Sequence, residues 1–245
     1  MNTYFNEITA KPVNTDGGKI LYKIPAGAMC GNGDLGTVFD NADHGLLIHI
    51  SKCDFWKFTP GAHKDGGIKN VGHLHIGNVD LTDYNIKQYY DKGLLECKFG
   101  KTEIEFFVAP ENLIYFEIKA PDSDLFPTVE VKIDDTCGSH NSEFTENGVS
   151  CYERRFEGED VTLESAVIIC CREIESHTAD GIKTARYCIS VATNFDDGNY
   201  TEKAIGAAIG CDYEADKKRT EDKWKKFFSA SKVTLEDKEI EGFYN

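Results

Sequence analysis

The chain has 245 residues, a formal net charge of −15, 40% hydrophobic residues and 11% aromatics. This is the composition of a folded globular protein with a sizeable core, and so acidic a chain speaks against nucleic acid and anionic membranes as partners, since phosphate contacts need a basic face. No apolar run reaches the length of a membrane span, MNTYFNEITAKP lacks the basic and apolar regions of a signal peptide, and the nine cysteines include no CxxC pair; the expectation is a cytoplasmic protein with reduced thiols.

The first chemical signal in chain order is GNGDLG, Gly31 to Gly36, a formal dinucleotide fingerprint with an acid, Asp54, eighteen positions further on. A nucleotide site needs that glycine turn to open a helix whose N-terminus receives the pyrophosphate. Here Thr37, Val38 and Phe39 favour a strand, DNADHG is a turn, and LLIHIS is strand-like again. No helix fits between them, so the glycines are read as residues of backbone geometry at a strand–turn–strand unit. CDFW then gathers Asp54 and Trp56 at a strand end, where an aromatic face and a carboxylate could meet a sugar. In VGHLHIGNVD, His73 and His75 fall at i, i+2 and share one face of a strand.

From Leu94 onward the alternation is regular. LLECKF puts Leu95, Cys97 and Phe99 on one face, and TEIEFFV does the same for Ile104, Phe106 and Val108, with Gly100 and Lys101 supplying a hairpin turn. NLIYFEIKA continues with Ile114, Phe116 and Ile118 inward and Tyr115, Glu117 and Lys119 on the opposite face. Strands resume in TVEVKI, VSCYERRF, SAVIICCREI and ARYCISVATNF, separated by turn-rich stretches DDTCGSHNSEFTENG, EGED and SHTADG. So many short strands argue for a large all-β antiparallel sandwich or barrel. Near Tyr200 the pattern turns helical, and Trp224, Phe227 and Phe228 lie on one stripe of an amphipathic helix. The expected organisation is a β domain over 1–212 and a helical linker over 213–245.

GNGDLG, a short hairpin and a strand ending in SKCDFW resemble the N-terminal β-sandwich domain of inverting glycoside hydrolases that carry an (α/α)6 catalytic barrel. The family 95 α-L-fucosidase group is similar, with the family 65 phosphorylases and hydrolases as more distant relatives. The later strands and EDKWKKFFSASKVTLEDKEIEGFY resemble the remaining sandwich strands and the segment leading into such a barrel. The segment SKCDFW departs from the N-x-D-T-L-W type pattern of family 95, with Asp54 and Trp56 alone matched, so the domain type is implied and a fucosidase is not. The resemblance implies an all-β supersandwich of galactose mutarotase-like architecture. It also implies that the catalytic acid and base lie in a barrel beyond this chain, and that Asn32, Asp34, Asp54 and Trp56 face that barrel or its carbohydrate. Trp224, Phe227 and Phe228 would pack the linker helix on the sandwich. A sandwich without its barrel would expose an apolar patch and self-associate into a homo-oligomer.

Two rivals stand beside that reading. A carbohydrate-binding module would use Trp56 with Tyr84, Tyr89 and Tyr90 as stacking surfaces. An aldose epimerase-like enzyme would use a histidine–glutamate pair, for which His73 and His75 are the candidates. The sequence points to no cofactor and no metal, since His73 and His75 have no second cluster at ligand spacing. There is no G-x-S-x-G nucleophile element.

Overall fold

Alternating segments that lie within a short turn of each other trade backbone hydrogen bonds, and the chain folds into successive antiparallel hairpins. The computed structural model describes residues 2–5, 10–15, 19–25, 27–42, 45–61, 66–123, 125–134, 137–230 and 233–244, with backbone alone before Gly27 and after Glu241. The strands are β1 (Asn2–Phe5), β2 (Ala10–Thr15), β3 (Lys19–Pro25), β4 (Met29–Gly31), β5 (Leu35–Ala42), β6 (Gly45–Lys57), β7 (Gly67–Gly77) and β8 (Tyr84–Tyr89). They continue as β9 (Leu94–Phe99), β10 (Thr102–Val108), β11 (Leu113–Pro121), β12 (Thr128–Lys132), β13 (His140–Glu146), β14 (Val149–Phe156), β15 (Ser165–Ala179) and β16 (Ile182–Thr193). Three helices follow: α1 (Tyr200–Ile209), α2 (Tyr213–Ala230) and α3 (Lys238–Tyr244). None of the described helices is long and apolar enough to cross a membrane.

The strands form a nine-stranded sheet in the order β1-β8-β9-β10-β11-β16-β15-β14-β13, a five-stranded sheet β12-β7-β6-β5-β4, and the pair β2-β3. The two large sheets pack face to face, so the protein is an all-β sandwich. Its core is the set of residues that alternation assigns inward: Leu95, Cys97 and Phe99, Ile104, Phe106 and Val108, and Ile114, Phe116 and Ile118 from the larger sheet. They meet Phe39, Ile48, Ile50, Leu74 and Ile76 from the smaller. The Gly100 turn has φ +56°, which glycine adopts without strain, and Phe99 pairs with Thr102 across it.

Two features depart from the sequence expectation. Tyr115 and Glu117, assigned to the polar face of β11, are buried. The outer face of the nine-stranded sheet is covered by helices: α1 buries Tyr200, Ala204 and Ala208 against Val149, Ile168 and Cys170, and Tyr213 of α2 packs on Phe107 and Tyr115. A strand covered on both faces loses its alternation. Second, two of the stretches read as turn-rich separators, DDTCGSHNSEFTENG and SHTADG, contain strand. β13 is exposed along its whole length, and Ser176–Ala179 of β15, also exposed, pairs with Ile182–Ala185 of β16 in a hairpin. Turns remain at Cys137-Gly138, Asn147-Gly148 and Asp180-Gly181, all six residues at positive φ. Exposed strands carry no hydrophobic period, so composition alone made them look like loops.

Candidate functional site

The GNGDLG segment is the β4–β5 turn. Asn32 Oδ1 accepts hydrogen bonds from the backbone N–H of Asp34 and Leu35 at 2.9 and 2.8 Å, which closes the turn locally. Gly33 has φ +102°, and a Cβ on Gly31 would come within 2.7 Å of the Leu35 carbonyl oxygen, so the tight turn itself requires glycine at both. The amide of Asn32 donates to the carbonyl of Ala109 at 2.8 Å and to Asn112 Oδ1 at 2.8 Å. Asn112, at φ +60°, returns a bond from its own amide to Asp34 Oδ2 at 2.7 Å. The turn is thereby stapled to the β10–β11 turn of the other sheet.

Leu46, Ile48 and Ile50 of β6 point into the core, and Lys52 continues that row at the end of the sandwich with its side chain wholly buried. Its ammonium donates to both oxygens of Asp54 at 2.9 Å, and lies 3.0 Å from Asp34 Oδ2 and 3.2 Å from Asp196. Thr193, at the end of β16, donates its hydroxyl to Asp54 at 2.9 Å, and its N–H goes to Asp196 at 2.9 Å. The cage clips β6 of the smaller sheet to the end of β16 in the larger. Burial opposes the charge on Lys52, but the hydrogen bonds and charges of its carboxylate partners outweigh it and hold the ammonium above its ordinary pKa. Burial likewise acts against ionised Asp34, and bonds from Cys53, Asn112 and Lys52 more than offset it, so its carboxyl titrates below the usual range. The neighbouring Cys53 thiol is exposed, yet its bond to Asp34 Oδ1 at 2.8 Å, with some burial, pushes it up to about 11.

Asn32, Asp34 and Asp54 thus converge, and Lys52, Asp196, Thr193 and Asn112 complete the group without having been picked out from sequence. Trp56 is separate. It is 39% exposed, donates its indole N–H to the Cys53 carbonyl at 2.7 Å, and lies in a surface row with Phe58 and Phe195. Asp34 and Asp54 share one ammonium. The arrangement fastens the turns and the two sheets to one another.

Beside the cage runs a groove of about 630 Å³, lined chiefly by Met29, Val38, Ile68, Tyr90, Trp224 and Phe228, with Asp34, Lys52 and Cys53 at one border. Trp224 packs on Gly93, Phe228 lies 6.4 Å from the Tyr90 ring, and Phe227 is 62% exposed, with ring contacts to Trp224 and Phe228. The end of α2 therefore rests on the β8–β9 turn with Phe227 facing outward.

The histidines lie on the other face of the smaller sheet. His73 Nε2 donates to Asp134 at 2.9 Å, His49 Nε2 donates to Asp40 at 3.3 Å, and the two rings meet edge to face at 4.7 Å. His75 is 3.9 Å from Glu130. Burial lowers the pKa of His49, and the bond from His73 lowers that of Asp134. Among the described residues no set of three or more histidine, cysteine or carboxylate side chains is arranged to hold a metal ion. Of the tyrosines, Tyr89 donates to Glu96 at 2.7 Å under two lysines, and Tyr84 packs on the inter-sheet core.

No known family profile matches the sequence, and no curated protein matches it. Among solved structures the chain is similar to one titled "Putative kojibiose phosphorylase from human microbiome", at 11% identity and a TM-score of 0.42, over 81% of this chain and 35% of that one. The chain thus spans about a third of the length of the protein it matches.

Proposed function

We propose that the chain is a non-catalytic N-terminal β-sandwich domain of a carbohydrate-active enzyme of the family 95 and family 65-like group, packing on an (α/α)6 catalytic domain and shaping its cleft. One observation carries the reading. The polar groups of Asn32, Asp34 and Asp54 are committed to stapling turns and sheets together, directly beside an open apolar groove. A surface of that kind supports a neighbour; it does not turn over a substrate. The sandwich fold and the resemblance of GNGDLG and SKCDFW agree with it. The test is the natural gene beyond Asn245, followed by purification of the extended chain. The expected result is an encoded (α/α)6 domain that unfolds cooperatively with the sandwich and supplies glycoside cleavage or phosphorolysis. A stop codon directly after Asn245 overturns the reading.

The exposed row of Trp56, Phe58 and Phe195 favours a second reading, a carbohydrate-binding surface, because aromatic faces open to solvent stack on sugar rings. Titration with soluble glucans and xyloglucan tests it. Binding lost in Trp56→Ala and kept in Tyr89→Ala supports it, and no binding by the unmodified chain refutes it.

A further inference from the structure

Two pairs of cysteines meet on the helix-covered face of the larger sheet, in different surroundings. Cys151 and Cys170 are cross-strand partners on β14 and β15, buried, with their sulfurs 3.6 Å apart. Burial raises the pKa of both, so this pair stays protonated and inert. The other pair joins the sheet to the helices. Cys188 of β16 is wholly buried between its cross-strand neighbours, Tyr115 of β11 and Arg172 of β15. Cys211 is half-buried in the short connection between α1 and α2 and packs on the cluster that contains Cys188 and Tyr115. The Cys188 thiol donates a hydrogen bond to the Cys211 sulfur. Arg172 reaches the same corner, where its guanidinium donates to the carbonyls of Ala208 and Ile209 at 3.4 and 2.9 Å. Asp212 caps α2 by accepting the N–H of Ala215 at 3.0 Å, so Cys211 immediately precedes a helix N-terminus, whose dipole favours a thiolate. The bond from Cys188 and the charge of Arg172 outweigh burial and the nearby Asp216, and hold the Cys211 thiol below its ordinary 9.0. The same bond, together with burial, drives Cys188 up.

We propose that Cys211 and Cys188 form a dithiol site that reduces hydrogen peroxide, with Cys211 as the attacking sulfur and Cys188 as the resolving one. The Cys211 thiolate attacks one peroxide oxygen. The O–O bond breaks, an S–O bond forms, and the leaving hydroxide takes up the proton that Cys211 had released. The Cys188 sulfur then attacks the resulting sulfenic sulfur. The S–O bond breaks, an S–S bond forms, and the departing hydroxide carries off the Cys188 proton as water. Two thiols have given two electrons to one peroxide, and two waters leave. The disulfide ties the α1–α2 connection to β16, and a small dithiol reopens it by exchange.

The test treats the folded chain with hydrogen peroxide at neutral pH, blocks the remaining thiols with N-ethylmaleimide, and maps peptides without reduction. A Cys188–Cys211 linked peptide, lost on adding dithiothreitol, should form at least about tenfold faster than a Cys151–Cys170 one. In Cys188→Ala the resolving thiol is gone, so Cys211 should accumulate as a sulfenic acid that dimedone traps. Cys211→Ser, at a half-buried position, should leave Cys188 without a dimedone adduct. Arg172→Gln should move the pH midpoint of Cys211 alkylation upward, and Arg172→Lys should keep it nearer the unmodified value. Absence of the Cys188–Cys211 peptide, its formation no faster than the Cys151–Cys170 one, or no dimedone adduct on Cys211 in Cys188→Ala overturns the proposal. So does a midpoint for Cys211 at or above 9.0 in the unmodified chain, or one that Arg172→Gln leaves in place.

Discussion

Replacing Lys52 by methionine tests whether the cage fastens the two sheets. Methionine has a similar reach and fills the same apolar channel, so the substitution removes the charge and little volume. It leaves the carboxylates of Asp34, Asp54 and Asp196, previously gathered around one ammonium, facing one another. Breaking a buried ion pair costs about 3–5 kcal/mol when the orphaned partner stays dry. Here the acids are 19–37% exposed and recruit water, which places the expected loss at the lower end, about 3 kcal/mol. For a chain of this size that is a fall in Tm of about 6–12 °C. Asp34→Asn or Asp196→Asn should each cost less than about 1 kcal/mol, because two carboxylates remain to pair with Lys52. The double substitution Lys52→Met with Asp54→Asn should recover more than about 1 kcal/mol of the single lysine loss. The pH dependence has a definite sign. The folded pKa of Lys52 is raised above its ordinary 10.5, so its contribution is present below that value and lost as pH climbs through the folded one. Urea unfolding followed by circular dichroism reads all of these. A loss below about 1 kcal/mol for Lys52→Met, or a single acid substitution as damaging as it, would refute the account.

Three further outcomes are expected. Burial holds the pKa of His49 below its ordinary 6.5, so the unfolded chain binds the proton first. Stability should therefore fall as pH drops below about 6.5 and level off under the folded value, and His49→Gln should flatten the change in urea midpoint between about pH 7.5 and about 5.5; an unchanged slope would count against it. Cys53, at about 11 against an ordinary 9.0, carries about 100-fold less thiolate, and the greater nucleophilicity of a more basic thiolate returns about tenfold. Peptide mapping after iodoacetamide should find Cys53 alkylated about tenfold more slowly than an unhindered thiol, with Asp34→Asn restoring the rate, and fast labelling of the unmodified chain would sink the point. In Gly93→Ala the new Cβ would lie 2.1 Å from Trp224 Cδ1 at a residue with φ +62°, so the indole must leave the β8–β9 turn. Its emission should shift to the red in the Trp56→Phe background, at a stability loss of about 1–3 kcal/mol; an unshifted spectrum would show that α2 does not rest there.

The sandwich was legible because its inward rows obey a period of two over β9, β10 and β11, where the turns are short and the register has no slack. What escaped was set by tertiary neighbours. Tyr115 reads as an outward residue until Tyr213 arrives from a helix about a hundred positions later and stacks edge-on against its ring. β13 and the tip of the β15–β16 hairpin bury almost nothing, so their pairing leaves no mark on hydrophobicity and shows only in the Asn-Gly and Asp-Gly dipeptides that turn them.

The site follows the same logic at closer range. Asn32, Asp34 and Asp54 attract notice as polar residues in a glycine-rich turn and at a strand end, and such residues invite a ligand interpretation. The residue that determines their role is Lys52, which the register of β6 places in the same inward row as Leu46, Ile48 and Ile50. A lysine in an inward position must find carboxylates, because its desolvation otherwise exceeds what packing returns. The sequence does contain that signal: an inward lysine flanked by Asp34 on the preceding turn and Asp54 two residues on. Asp196 closes the cage from 144 positions away and could not have been foreseen without the pairing of the sheets. Once the three acids are assigned to one buried ammonium, what this end of the sandwich leaves open is the apolar groove beside the cage.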